Sequence, residues 1–213
     1  AFTAEAKKIG LTVLSSMPYG EGWDSKQSDY TALMTKIKSL NPDMVYVGGI
    51  FDNNGGQLVK DKFNVLGDNT KVKFMGPDGF TGYPDLNKMP EADGMYLSFA
   101  GLSTDLLLAN DPKGAGAKFV ASYKKTYKKD PVGSYPLYGV AAVQVILAAI
   151  AKSDGTRKSV NNAVFSGSGI SIPAKQSVLG KELKISTLTG DTLAKDITIE
   201  VIKGNEETTV KAW

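Results

Sequence analysis

Apolar positions in the first hundred residues alternate between short blocks and helical stripes. Phe2, Ala6 and Ile9 recur at helical spacing and Gly10 closes the stripe. Ala1 thus begins inside a predicted helix with no cap before it, which points to a chain cut from something longer. Leu11 to Leu14 is an apolar block that predicts a short strand. Pro18, Gly20 and Gly22 then predict a loop over residues 17–26. Tyr30, Leu33, Met34, Ile37 and Leu40 share one helical face and predict an amphipathic helix, with Ser28 as its N-cap. Asn41-Pro42-Asp43 stops it. Met44 to Val47 predicts a second strand, ended by Gly48-Gly49. Val59, Phe63 and Leu66 mark the face of the next helix and Gly67 its end, before two more strands at Val72 to Met75 and Gly94 to Phe99.

The pattern changes near Gly101. Phe119, Val120, Tyr123 and Tyr127 predict a surface helix, broken by Pro131 and Gly133. Leu137 to Lys152 is apolar on nearly every side, which predicts a helix buried around most of its circumference. Val160 to Phe165 predicts a short helix, and residues 166–184 carry only a weak pattern. Near the end Ile197, Ile199 and Val201 alternate with Thr198 and Glu200. Gly204-Asn205 is a turn signal, and residues 208–213 can return as a paired strand.

Strands alternating with helices predict an α/β fold with a doubly wound parallel sheet covered on both faces and right-handed crossovers. Ligands in such sheets bind beyond the carboxyl ends of the strands. Three predicted loops leave those ends: one holds Tyr19, one Ile50 and Phe51, one Asp78.

Composition removes several kinds of chemistry. The 213 residues contain no Cys and no His, which excludes a cysteine nucleophile, a Ser-His-Asp triad and ordinary zinc sites. The net charge of +3 is carried by lysine, with Arg157 the only arginine, which argues against a nucleic-acid partner. Lys124, Lys125, Lys128 and Lys129 read as the solvated side of a helix. No apolar run reaches the ~18 residues that span a bilayer.

Few motifs carry chemistry. Lys73-Phe-Met-Gly-Pro-Asp-Gly79 ends a predicted strand in a turn that sets one carboxylate at the binding edge, although an Asp in such a turn also serves the turn itself. Val45-Tyr-Val-Gly-Gly-Ile-Phe51 places paired glycines, which permit close approach, before an apolar pair. It lacks the dinucleotide fingerprint. Lys113-Gly-Ala-Gly-Ala-Lys118 lacks Walker spacing, Gly167-Ser-Gly169 is no nucleophile elbow, and Asp52-Asn-Asn-Gly55 does not fit a calcium loop. Asp78 with Glu91 or Asp93 is the remaining acid–base pairing, and nothing in the sequence fixes their separation. The expectation is no cofactor, no metal and no enzyme.

Ser28-Asp-Tyr-Thr-Ala-Leu-Met-Thr-Lys-Ile-Lys-Ser-Leu-Asn-Pro-Asp-Met-Val-Tyr-Val-Gly-Gly49 resembles the second lobe of type I periplasmic binding proteins, in particular the leucine/isoleucine/valine-binding proteins of ABC importers. Lys73 to Gly79, Glu91-Ala-Asp-Gly-Met95, and Asp130-Pro131 with Tyr138 to Gln144 follow in that family's order. The resemblance implies two Rossmann-like lobes that close on a ligand, here incomplete. Residues 1–101 would belong to the C-terminal lobe, 102–195 to part of the N-terminal lobe, and 196–213 would return to the C-terminal lobe. It implies that Asp78 holds the ligand's amino group, in a position where many relatives have Glu, and that Ile50, Phe51 and Tyr135 line the pocket. The groups that hold the ligand carboxylate would lie outside this chain. Implied partners are an amino acid or similar small molecule, a membrane permease, and a missing N-terminal segment or second chain. The implied location is the periplasm or the extracellular face of the membrane, secreted or lipid-anchored. A sensor domain on the same fold is the first alternative, and an α/β enzyme the second.

Overall fold

The computed structural model describes residues 2–14 and 22–213. The chain falls into two compact units. Unit 1 comprises residues 1–80, 84–97 and 201–208; unit 2 comprises 81–83, 98–200 and 209–213.

Unit 1 begins with helix α1 (Phe2–Lys8), followed by Gly10 at φ +84°. Helix α2 (Thr31–Ser39) buries Met34 and leads to strand β1 (Met44–Tyr46). Helix α3 (Gly55–Leu66) stops at Gly67, whose φ of +84° suits a residue without a Cβ. Strand β2 (Lys73–Gly76) is followed by a 3₁₀ turn (Asp78–Phe80), helix α4 (Pro84–Asn87), a second 3₁₀ turn (Pro90–Ala92) and strand β3 (Tyr96–Phe99). β1 pairs parallel with β2, Tyr46 opposite Met75, and β2 pairs parallel with β3, Met75 opposite Tyr96. The α/β pattern with a parallel sheet is therefore present as the alternation of stripes and blocks predicts.

Two local expectations fail, and a third is not tested. Leu11 to Leu14 forms no strand; Leu11 and Leu14 are exposed, and among the described residues no ladder partner holds them. The Tyr19 loop lies outside the described residues. Ser28 does not cap α2: the N-cap is Tyr30, without a side-chain cap bond, and the Asp29 carboxylate accepts the Thr31 N–H instead at 3.1 Å.

Unit 2 is mainly helical: α5 (Thr104–Asn110), α6 (Ala115–Tyr127), α7 (Tyr135–Ala151) and α8 (Arg157–Phe165), whose Thr156 cap accepts the Ser159 N–H. Its core joins Leu107, Leu137, Ala141 and Ala149 to Ile170, Val178 and Leu183. Strands β4 (Ser171–Ile172) and β5 (Leu183–Lys184) form a small antiparallel sheet in the weakly patterned segment. α7 is not buried around most of its circumference. Only Leu137, Ala141 and Ala149 are buried, because only one side meets the core.

Strands β6 (Thr198–Lys203) and β7 (Glu206–Ala212) extend the main sheet to the order β1-β2-β3-β6-β7. Gly204 and Asn205 both take positive φ, as the predicted two-residue turn requires. β6 buries Thr198, Glu200 and Ile202, so the apolar residues at 197, 199 and 201 are on the less buried side.

Candidate functional site

Parallel pairing sets the carboxyl ends of β1 and β2 side by side, so the loops that follow leave from one edge of unit 1. The Val47 N–H donates to the Met75 carbonyl at 2.9 Å, and the Phe51 N–H donates to the Gly79 carbonyl at 2.9 Å. The two loops are thus bonded to each other beyond the sheet. A Cβ at Gly79 would stand 2.7 Å from the Gly49 carbonyl oxygen and 2.7 Å from the Ile50 side chain. Gly79 is the residue that allows this approach.

The sequence-predicted residues of unit 1 meet at this edge with distinct roles. Asp78 opens the 3₁₀ turn after β2 and is partly buried. Ile50 is 44% exposed and stands on the adjoining loop against Gly79. Phe51 turns inward: its ring meets the fully buried Phe80 edge-on at 6.1 Å, and both crowd the place a Cβ would take at Gly55. Of the apolar pair, Ile50 presents surface and Phe51 fixes the loop that carries it.

Two aromatic residues complete the edge, and neither was singled out from sequence. Tyr46 ends β1. Its hydroxyl pKa is raised, first by burial and second by the negative charge of Asp78, so the two groups lie within electrostatic reach. The Tyr46 ring stacks on Phe2 at 4.3 Å. Trp23 lies against Gly49, its ring 2.7 Å from where a Cβ of Gly49 would be. Gly48 faces open space. Close approach at Gly49 is therefore made by Trp23 and the Gly79 turn, and Gly48 alone leaves room. The Val45-Tyr46-Val47 block was the available signal for Tyr46: a tyrosine at the last position of a strand whose end lines the edge.

Tyr135 stands in unit 2 as the first residue of α7, 47% exposed, with its ring edge-on to the buried Phe99 at 5.3 Å. Tyr138 meets the same ring at 5.3 Å. Its hydroxyl donates to the Leu102 carbonyl and accepts the Leu102 N–H at 2.7 Å; burial pushes its pKa up to about 12. Tyr138 therefore anchors its own segment.

Among the described residues no group of three or more His, Cys, Asp or Glu could hold a metal ion. A single carboxylate beside apolar surface, on bonded loops, can hold a cationic group by charge-assisted hydrogen bonding while the apolar wall takes an uncharged part.

The matching family model is described as periplasmic binding protein and covers residues 1–180. The chain is similar to the leucine-specific-binding protein of Salmonella typhimurium, 29% identical over 143 residues, 65% of this chain and 35% of that protein. It is similar to the Leu/Ile/Val-binding protein of Escherichia coli, 27% identical over 144 residues, 66% of this chain and 35% of that protein. Among solved structures, a leucine-binding protein from Thermotoga maritima superposes with a TM-score of 0.75 at 18% identity, covering 99% of this chain and 54% of that one. A Rhodopseudomonas palustris ABC-transporter solute-binding protein in complex with p-hydroxybenzoic acid superposes with a TM-score of 0.72 at 17% identity, covering 100% and 55%. The chain thus spans about a third of the curated relatives and about half of the solved ones.

Proposed function

The chain belongs to the periplasmic binding protein family, and from that premise we propose that it is part of the substrate-binding component of an ABC importer that captures an amino acid, branched-chain or related. One observation carries this reading: Asp78, a carboxylate at the carboxyl edge of β2, beside the exposed Ile50 on a loop bonded to its own. In the proposal Asp78 accepts the ligand's ammonium and Ile50 meets its side chain. Phe51 holds the Ile50 loop in place, and Tyr135 contributes an aromatic wall on the strength of the family resemblance. The lobe assignment goes with it: residues 1–101 and 196–213 to the C-terminal lobe, 102–195 to the N-terminal lobe. A membrane permease is the proposed partner, and the periplasm or outer membrane face the proposed location.

Aromatic acids are a second ligand class, since two of the similar solved proteins are in complex with benzoate and p-hydroxybenzoic acid. Asp78 decides between them here. A benzoate has no ammonium, and its carboxylate would meet a like charge at this edge. The test is calorimetric titration of the full-length product of the gene with leucine, isoleucine, valine, 4-methylpentanoate (leucine without its amino group) and 4-hydroxybenzoate. Binding of an amino acid at least tenfold tighter than of 4-methylpentanoate supports the reading. Binding of 4-hydroxybenzoate alone would overturn it.

A further inference from the structure

The third loop predicted to gather at the binding edge reaches it through Trp23, whose ring lies against Gly49 on the loop after β1. The Gly49 carbonyl in turn stands against Gly79, the residue that follows Asp78. Trp23, Gly49 and the Asp78 turn are thus successive neighbours, with Ile50 exposed beside them. Trp23 is half-buried and stands on a segment without helix or strand. Its place is fixed by Tyr30. Tyr30 is 1% exposed, its ring meets the Trp23 ring edge-on at 5.9 Å, and its hydroxyl donates to the Asp24 carbonyl at 2.8 Å. The Tyr30 N–H donates to the buried Asp61 carboxylate at 2.6 Å, which also accepts the Gln57 amide at 3.0 Å. The Asn54 amide donates to the Gln27 carbonyl at 2.8 Å and to the Tyr30 hydroxyl at 3.3 Å. The segment from Trp23 to Tyr30 is therefore fastened to α3 and its cap, in part by a buried charge whose desolvation those bonds must offset. What the fastening delivers is a fixed indole beside the loops that carry Ile50 and Asp78.

We infer that Trp23 determines specificity at this edge, and that the amino acid it selects is aromatic, of the size and shape of phenylalanine. The inference rests on the amino-acid reading above and narrows it: Asp78 takes the ammonium and Trp23 takes the ring. A flat side chain laid against an indole gains stacking beyond the area it buries. Because Trp23 is already held by Tyr30, little side-chain freedom is lost when the ligand arrives. A branched aliphatic chain gains the buried area alone, which Ile50 supplies without Trp23. Room for a ring exists next to the indole, since Gly48 has open space where a side chain would be. The Tyr46 ring, on the strand that leads into the same loop, adds a second aromatic group to the edge.

Calorimetric titration of the full-length product of the gene tests it, with L-phenylalanine, L-leucine and 3-phenylpropanoate, which is phenylalanine without its amino group. Phenylalanine should bind at least about tenfold tighter than leucine. Trp23→Leu should lower the ratio of phenylalanine to leucine affinity about tenfold, and Trp23→Phe, which keeps a ring, should retain most of that ratio. Leucine binding as tightly as phenylalanine to the wild type would overturn the inference and leave the amino-acid reading standing. So would a fall of both affinities together in Trp23→Leu with the ratio unchanged, which would make Trp23 a support of the loop alone. Phenylalanine binding no tighter than 3-phenylpropanoate is a different failure: it would remove the ammonium from Asp78, and the narrower inference would go with it.

Discussion

Lys62 has no exposed surface, yet its amine meets four oxygens: the carbonyls of Gly67 at 3.1 Å, Asp68 at 3.2 Å and Val72 at 2.5 Å, and the Asn69 side chain at 2.7 Å. Asn69 passes the connection on to the Glu91 and Asp93 carbonyls. One buried amine thus fixes the turn between α3 and β2, and through it the strand that delivers Asp78. Lys62→Met should cost about 1–3 kcal/mol, because buried acceptors lose their donor; urea unfolding measures it. Burial pushes the Lys62 pKa down to about 8 from 10.5, with the Asp68 charge acting the other way. Between those values the unfolded chain holds more protons. The burial cost is therefore fully present below about pH 8 and is relieved as pH rises towards 10.5. The stability of the wild type relative to Lys62→Met should rise across that window by up to about 3 kcal/mol. A flat difference would show that the four oxygens offset burial. Lys62 was not legible in the sequence, since a lysine on a helix reads as surface. Its position, three after Val59 and four before Leu66 on the buried face, was the overlooked signal.

Elements were legible where two signals agreed. Gly-Pro-Asp-Gly after an apolar block gave the end of β2 and the turn with Asp78. Gly67 gave the end of α3. A single signal was weaker: the block from Leu11 to Leu14 has a strand's composition but no described ladder partner, and composition does not supply one. In β6 both alternating sets contain isoleucine, so the period was readable and the phase was not. The phase is set by partners: the Thr198 hydroxyl donates to the Gly101 carbonyl at 2.7 Å and accepts the Ser103 N–H at 3.2 Å. Two substitutions test the element-level account. Gly79→Ala should push apart the loops after β1 and β2, since the Gly49 backbone cannot yield as a side chain could. The expected cost is about 1–3 kcal/mol of stability, with weaker ligand binding alongside, read by melting and titration of one preparation. Thr156→Ala removes the cap of α8 and should cost about 0.5–2 kcal/mol without changing ligand affinity.

At the scale of the whole molecule, the family was legible because motifs from residues 28 to 144 occur in one order, although no single motif identified it. What was legible of the candidate site is the placement of Ile50 and Asp78 on the loops that follow β1 and β2. The parts of Tyr46 and Trp23 were not legible, since their roles come from packing between segments distant in sequence. Since the chain spans about half of its solved relatives, and the resemblance puts the carboxylate-binding groups outside it, the 213-residue chain alone should bind free amino acids weakly. Micromolar affinity in calorimetry would show that the site is misplaced. The most direct test of the central claim is Asp78→Asn in the full-length product, with affinity for the preferred amino acid and melting temperature measured on the same preparation. The account predicts at least about a tenfold loss of affinity, about 1.4 kcal/mol, with the melting temperature nearly unchanged, because the ammonium loses a charged partner while the side chain keeps its shape. Unchanged affinity with a lowered melting temperature would contradict it and leave Asp78 as a residue of the turn alone.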